Sequence, residues 1–190
     1  DYIKRKKELN SKQSINSVLF EILPKRIIEI LFQVKNHKLA EVSGVSITDY
    51  QDLKQALQQR IDYFHQNGCR LCDHGLSNLS WAPASEDEIS QIFSKRRNGE
   101  PLSHLEAEQF KTAILVFLGE SYHEKGWVQQ FHLGALRNNN KRMLAQLGPD
   151  TGWDSIGDYS QAEALSAYLN RLDSNDKLTK TILYNLNPAD

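Results

Sequence analysis

The sequence predicts an α/β fold of parallel strands joined by helical crossovers. Three observations predict it. Short apolar runs alternate with longer stretches in which apolar residues recur every three or four positions. The spacers between the runs are too long for hairpins and long enough for helices. A Ser or Thr followed three residues later by Glu or Gln, the spacing of a reciprocal N-terminal cap, opens four of the helical stretches. With 190 residues, 39% of them hydrophobic, the chain has material for one domain or one and a fraction.

The elements follow in order. Asp1 to Gln13 is basic through Lys4, Arg5, Lys6, Lys7 and Lys12, which reads as a solvated arm or helix end. Ser17 to Leu23, ended by Pro24, reads as a buried strand, and Arg26 to Phe32 is ambiguous between strand and helix. Thr48 with Gln51 opens a helix carrying Leu53, Ala56, Leu57, Ile61 and Phe64, which Gly68 stops. Gly68 to Leu76 is a short strand leading into a loop. Ser85 with Glu88 opens a helix carrying Ile89, Ile92 and Phe93 that ends near Gly99. Ser103 with Glu106 opens a longer helix whose apolar face is Phe110, Ala113, Ile114, Phe117 and Leu118.

Trp127 to His132 reads as the next strand, Leu136 to Asn140 as a loop, and Lys141 to Leu147 as a short helix stopped by Gly148-Pro149. Ser160 with Glu163 opens a helix carrying Leu165, Tyr168, Leu169 and Leu172. Thr181 to Leu186 is the last strand.

Composition narrows the function classes. Lys and Arg number 23 against 24 Asp and Glu, a balance unlike that of a bulk nucleic-acid binder. No apolar run reaches the roughly 18 residues of a membrane span, and no secretory signal is present. Two cysteines cannot form a disulfide framework, which points to a reducing, cytoplasmic setting. Met143 is the only methionine, so the chain lacks an initiator; the expectation is a fragment of a longer protein.

Candidate chemistry sits at strand ends. Cys69 and Cys72 have the spacing of a redox or zinc half-site, but no second cysteine pair completes it, and residues three apart on a strand face opposite sides. Asp73-His74 follows at the carboxyl end of that strand, where parallel sheets and barrels place their ligands. Only one of the two can point into a barrel mouth; if Asp73 does, Cys69 and Leu71 share its face. His132 ends the next strand with Val128 and Gln130 on its side. Arg137, in the donor-rich loop Gly134 to Asn140, could hold a carboxylate bidentately; the alternative is a solvated loop whose asparagines tolerate left-handed backbone. There is no Gly-rich phosphate loop, no Gly-x-Ser-x-Gly elbow and no His-Glu-x-x-His motif. Trp81, Trp127 and Trp153 read as packing anchors, with Trp153 left open.

Several stretches together resemble bacterial uronate isomerase (glucuronate isomerase), a divergent family of the amidohydrolase superfamily. They are 68–74, 111–119, 126–140, 147–150, 152–156 and 180–188, and the resemblance spans about residues 39–190. It implies a partial (β/α)8 TIM-type barrel, amidohydrolase-like, with inserted helices. Residues 1–38 form a divergent segment with one barrel strand, 39–190 the central part, and 85–124 a helical crossover. The implied activity is aldose–ketose isomerisation of hexuronates, D-glucuronate to D-fructuronate and D-galacturonate to D-tagaturonate. By resemblance, Asp73 and His132 are active-site residues, and Arg137 holds the anionic substrate or orders its loop.

The family's His-x-His pair and its late metal-binding Asp have no counterpart here, and Leu23-Pro24 lacks the Trp-Arg-Pro-Asp run that follows in the family. A divalent metal such as zinc is therefore expected only in a complete enzyme, with no ligands in this chain, and this stretch alone is expected to be inactive. A homo-oligomer is expected of the complete enzyme, and neither nucleic acid nor membrane is an expected partner. The rival readings are a non-catalytic remnant or interaction module, and another amidohydrolase-like hydrolase.

Overall fold

The computed structural model describes residues 35–149 and 151–188. The basic stretch at 1–13, the predicted strand at 17–23 and the ambiguous run at 26–32 lie outside these residues.

Five strands and six helices alternate along the described residues. They are α1 (Lys35–Ser43), α2 (Tyr50–Gln66), β1 (Leu71–Leu76), α3 (Glu86–Arg97), α4 (His104–Glu124), β2 (Val128–Leu133), β3 (Ala135–Leu136), α5 (Lys141–Leu147), β4 (Ser155–Ile156), α6 (Ala162–Asp173) and β5 (Lys180–Asn185). The main sheet has the order β1-β2-β5 and is parallel throughout, as the long spacers require. β3 and β4 form a separate two-stranded antiparallel pair.

Two of the four predicted caps form as read. Ser85 and Ser103 accept from the backbone N–H of Glu88 and Glu106, whose carboxylates reach back to the cap backbone. The other two do not. Helix α2 is capped by Asp49 and Asp52 in place of Thr48 and Gln51. The Asp52 carboxylate takes hydrogen bonds from the backbone and hydroxyl of Thr48 as well, and these hold it below the usual carboxylate range. Helix α6 starts one residue beyond Gln161, which makes no side-chain cap. That side chain is committed elsewhere: Oε1 accepts from Leu79 N–H at 3.0 Å, and Nε2 donates to Ser77 C=O at 3.0 Å.

The core lies between the sheet and the helices. Leu53, Leu57, Ile61 and Phe64 from α2, Phe110, Ile114 and Leu118 from α4, and Tyr168 and Leu172 from α6 are all buried, with Trp127 and Phe131 contributed by and beside β2. Trp127 is a packing anchor, as predicted; Trp153 is exposed. At Gly119 an added Cβ would stand 2.5 Å from the Tyr168 hydroxyl and 2.9 Å from Leu172, so a glycine there lets α6 close on α4. That hydroxyl donates to Gln129 Oε1 at 3.0 Å, tying α6 to the sheet.

Strand alternation divides the main sheet into two faces. Cys72, His74, Gln129 and Phe131 are buried on the helix side. Asp73, Gln130 and Ile182 are in register across the other face, followed by Gly75, His132 and Tyr184. No element among the described residues covers this second face, which differs from the two-sided cover expected of an open sheet. A curved arc with helices outside and polar groups inside accounts for it.

Candidate functional site

The site is built from the carboxyl ends of β1 and β2. Strand β1 begins at Leu71, after the Gly68 turn, so odd-numbered residues face the hollow and Asp73 does so with Leu71. Cys69 precedes the strand and is half-buried, and Cys72 is buried; both are free thiols. Burial pushes the Cys72 thiol far above its ordinary range, which disfavours its thiolate.

Asp73 and His132 meet. His132 Nδ1 lies 2.6 Å from Asp73 Oδ1, although 59 residues separate them in the chain. A carboxylate can only accept, so Nδ1 donates to it, and in the neutral ring Nε2 is then the nitrogen with the free lone pair. The parallel register explains the meeting. Asp73 is level with Gln130, and His132 stands one step further toward the mouth on the same face, diagonally adjacent. Tyr184 is level with His132 from the other side, and the two rings stack at 4.4 Å between centroids and 12° between planes. Its hydroxyl donates to Gln130 Oε1 at 2.9 Å. The sequence reading gave Tyr184 no role. Its signal was its place at the end of a third parallel strand, visible only once the strands are set in register.

Arg137 stands apart from this pair, on the rim. Its Nη1 donates to Asp154 Oδ2 at 2.9 Å, and the other oxygen of Asp154 accepts from Asn138 N–H at 2.7 Å. Asn138 takes a left-handed backbone, φ 56°, which Asn tolerates well. Of the stretch read as a loop only Leu136 enters a strand, β3 pairing with β4, and beyond it Asn139 N–H donates to Trp153 C=O at 3.0 Å. Gly134, at φ +87°, turns the chain out of β2. Its N–H donates to Ser77 C=O at 3.0 Å and its C=O accepts from Gly157 N–H at 2.7 Å, lacing the loops after β1, β2 and β4 together.

His74, next to Asp73, points the other way. It is sealed between Tyr122 and Phe131, with ring centroids 5.8 and 5.6 Å away, and its Nδ1 has no hydrogen-bond partner. Burial lowers its pKa from 6.5 to about 4.

A cleft of about 300 Å3 lies elsewhere, among the helices, lined by Tyr50, Lys54, Trp81, Thr112 and Arg171. None of Asp73, His132 and Arg137 lines it. No group of three or more His, Cys, Asp or Glu among the described residues could hold a metal ion. No described helix is long and apolar enough to cross a membrane.

Comparison with known proteins gives a consistent result. The sequence profile of the glucuronate isomerase family matches residues 1–190. The chain is 61% identical over 152 residues to a uronate isomerase of Flavobacterium johnsoniae, covering 80% of this chain and 32% of the relative. A uronate isomerase of Bacteroides fragilis is 53% identical over 158 residues, covering 83% of this chain and 34% of the relative. Among solved structures, the uronate isomerase of Thermotoga maritima is similar with a TM-score of 0.74 at 30% identity, covering 80% of this chain and 34% of that one. The glucuronate isomerase of Caulobacter crescentus gives 0.73 at 27% identity, covering 86% and 34%. The chain thus spans about a third of the length of the relatives it matches.

Proposed function

The chain belongs to the glucuronate isomerase family, and its parallel arc is part of an amidohydrolase-like (β/α)8 barrel; from that premise we propose that it carries the acid–base portion of a hexuronate aldose–ketose isomerase site. The observation that carries this is the 2.6 Å bond between Asp73 and His132 on the sheet face turned away from the helices.

The chemistry asked of such a site is proton transfer between neighbouring carbons. A base removes the C2 proton of the open-chain aldose, and the C2–H electron pair forms the C1–C2 double bond as the aldehyde oxygen gains a proton. The resulting enediol returns a proton to C1 and loses one from the C2 oxygen, giving the ketose. An imidazole with a free Nε2 can take up and return a proton within hydrogen-bond reach of the sugar. Asp73 fixes the tautomer that exposes Nε2 and steadies the imidazolium that forms. Arg137, drawn to Asp154, shapes the rim beside which the substrate's carboxylate would lie.

D-glucuronate and D-galacturonate are the substrates in this reading, in cytoplasmic hexuronate breakdown, with a homo-oligomer as the complete enzyme. A divalent cation such as zinc belongs to the same reading of the complete enzyme. Among the described residues no third His, Cys, Asp or Glu joins Asp73 and His132, so these two do not make up a metal centre of their own. No step is derived through a metal.

The test is a chimaera in which the matching 152-residue stretch of this chain replaces its counterpart in the Flavobacterium johnsoniae relative. It should convert D-glucuronate to D-fructuronate, and Asp73→Asn or His132→Asn should each lower kcat by about 100-fold or more. Wild-type turnover by His132→Asn would reject the reading, and hydrolysis of amides or esters in place of isomerisation would favour the hydrolase alternative.

A further inference from the structure

One hydrogen bond does not fix an imidazole. The torsion that swings the ring about its Cβ–Cγ bond is broad and roughly two-fold, so a ring held only at Nδ1 still tilts. At the mouth of this hollow a second restraint is present. Tyr184 lies flat against His132 at 4.4 Å and 12°, blocking tilt toward β5. The tyrosine is itself anchored, because its hydroxyl donates to Gln130 Oε1 at 2.9 Å. Gln130 sits two residues before His132 on the same strand and is level with Asp73 on the next. Asp73, His132, Tyr184 and Gln130 therefore form a closed set: two contacts on the imidazole, and one tether on the ring that restrains it.

We propose that Tyr184 is a positioning residue for His132, holding the imidazole plane so that Nε2 faces the reacting carbons. The proposal rests on the isomerase reading above. It assigns Tyr184 no contact with substrate; one face of its ring is already occupied by His132, and its hydroxyl is committed to Gln130. Its predicted signature is a loss in turnover without a loss in binding, because misplacing a base by about 1 Å costs up to roughly 100-fold in rate.

Two measurements test it. In the 190-residue chain, proton–nitrogen correlation spectra of the His132 ring should show the Nδ1–H tautomer and ring protons shifted by the tyrosine ring current. Tyr184→Leu should abolish that shift and broaden the signals, while Tyr184→Phe should preserve both. In the chimaera, Tyr184→Leu should lower kcat by about 10- to 100-fold with KM changed less than about two-fold, and Tyr184→Phe should restore most of kcat. His132 spectra that are superimposable between wild type and Tyr184→Leu would overturn the proposal. So would wild-type kcat in Tyr184→Leu when His132→Asn is inactive, and that result leaves the isomerase reading standing. Wild-type kcat in His132→Asn overturns the isomerase reading and this inference with it.

Discussion

His74 and His132 stand one strand apart in the same sheet and share almost nothing else. His74 is packed between Tyr122 and Phe131 with an unpartnered Nδ1, and its charged form is disfavoured by burial. His132 is half-exposed, bonded through Nδ1 to Asp73, and stacked on Tyr184. Which face of the strand a residue lands on decides between them. Asp73 and His74 are neighbours, so the alternation that delivers the carboxylate to the hollow also delivers the imidazole to the core. A histidine next to a candidate acid in sequence is thus the poorer partner for it; the better one lies on the adjacent strand, one step further toward the mouth.

The sharpest break of this contrast is in stability. Phe131→Ala removes a fully buried ring that touches His74 and Tyr168, and should cost about 3–5 kcal/mol. Tyr184→Ala, on the open face, should cost about 1 kcal/mol or less. Urea titrations of the two variants compare the faces directly, and equal losses would erase the distinction.

Acid comes next in size. The folded pKa of His74, about 4, lies below the ordinary 6.5, so the unfolded chain binds the proton first as pH falls. The stability held with His74 neutral is complete above pH 6.5, is lost between 6.5 and about 4, and changes no further below that. The loss is on the order of 3 kcal/mol. His74→Phe keeps an aromatic ring between Tyr122 and Phe131 and removes the titration. Its stability should therefore stay flatter than wild type from pH 6.5 to 4, read by thermal unfolding across that range. Parallel curves would mean that His74 is not the group responsible.

The smallest effect belongs to the rim. The Arg137–Asp154 pair is partly exposed, so Arg137→Met should change stability by less than about 1 kcal/mol. Amide exchange at Asn138 and Asn139 should rise because Asp154 loses the partner that holds its carboxylate against the loop. Unchanged exchange there would show that the backbone pairing of β3 with β4 holds the loop without Arg137.

Much of the fold was legible where local chemistry is self-contained. Ser85 with Glu88 and Ser103 with Glu106 announce their helices because each cap is satisfied by residues within one turn. Thr48 with Gln51 misleads because Asp49 and Asp52, one position on, offer carboxylates to the same orphan N–H groups. Ser160 with Glu163 misleads for a tertiary reason: Gln161 reaches back to Ser77 and Leu79, which fixes where α6 begins. The β3–β4 pair is too short to carry any periodicity, and Asp154, which accepts from Asn138 N–H beside β3, lies 16 residues further on. Helix α1 has Leu39 as its deeply buried apolar residue and leaves Val42 exposed, so no stripe betrays it. At the site, Asp73 and His132 were readable from their places at strand ends. Their bond, and the part played by Tyr184, required the register of three strands whose pairing no local pattern encodes.

The hydrogen bonds that join Ser77, Gly134 and Gly157 run between peptide groups, with no side chain taking part. Residue 77 can therefore change its side chain without breaking this link, whereas at Gly157 an added Cβ would collide with the Tyr159 ring and crowd Gly134 C=O at 3.1 Å. Gly134 is restricted for a different reason, since its φ of +87° excludes ordinary L-residues. A side chain at either glycine should therefore loosen the junction of the three loops, while residue 77 tolerates change.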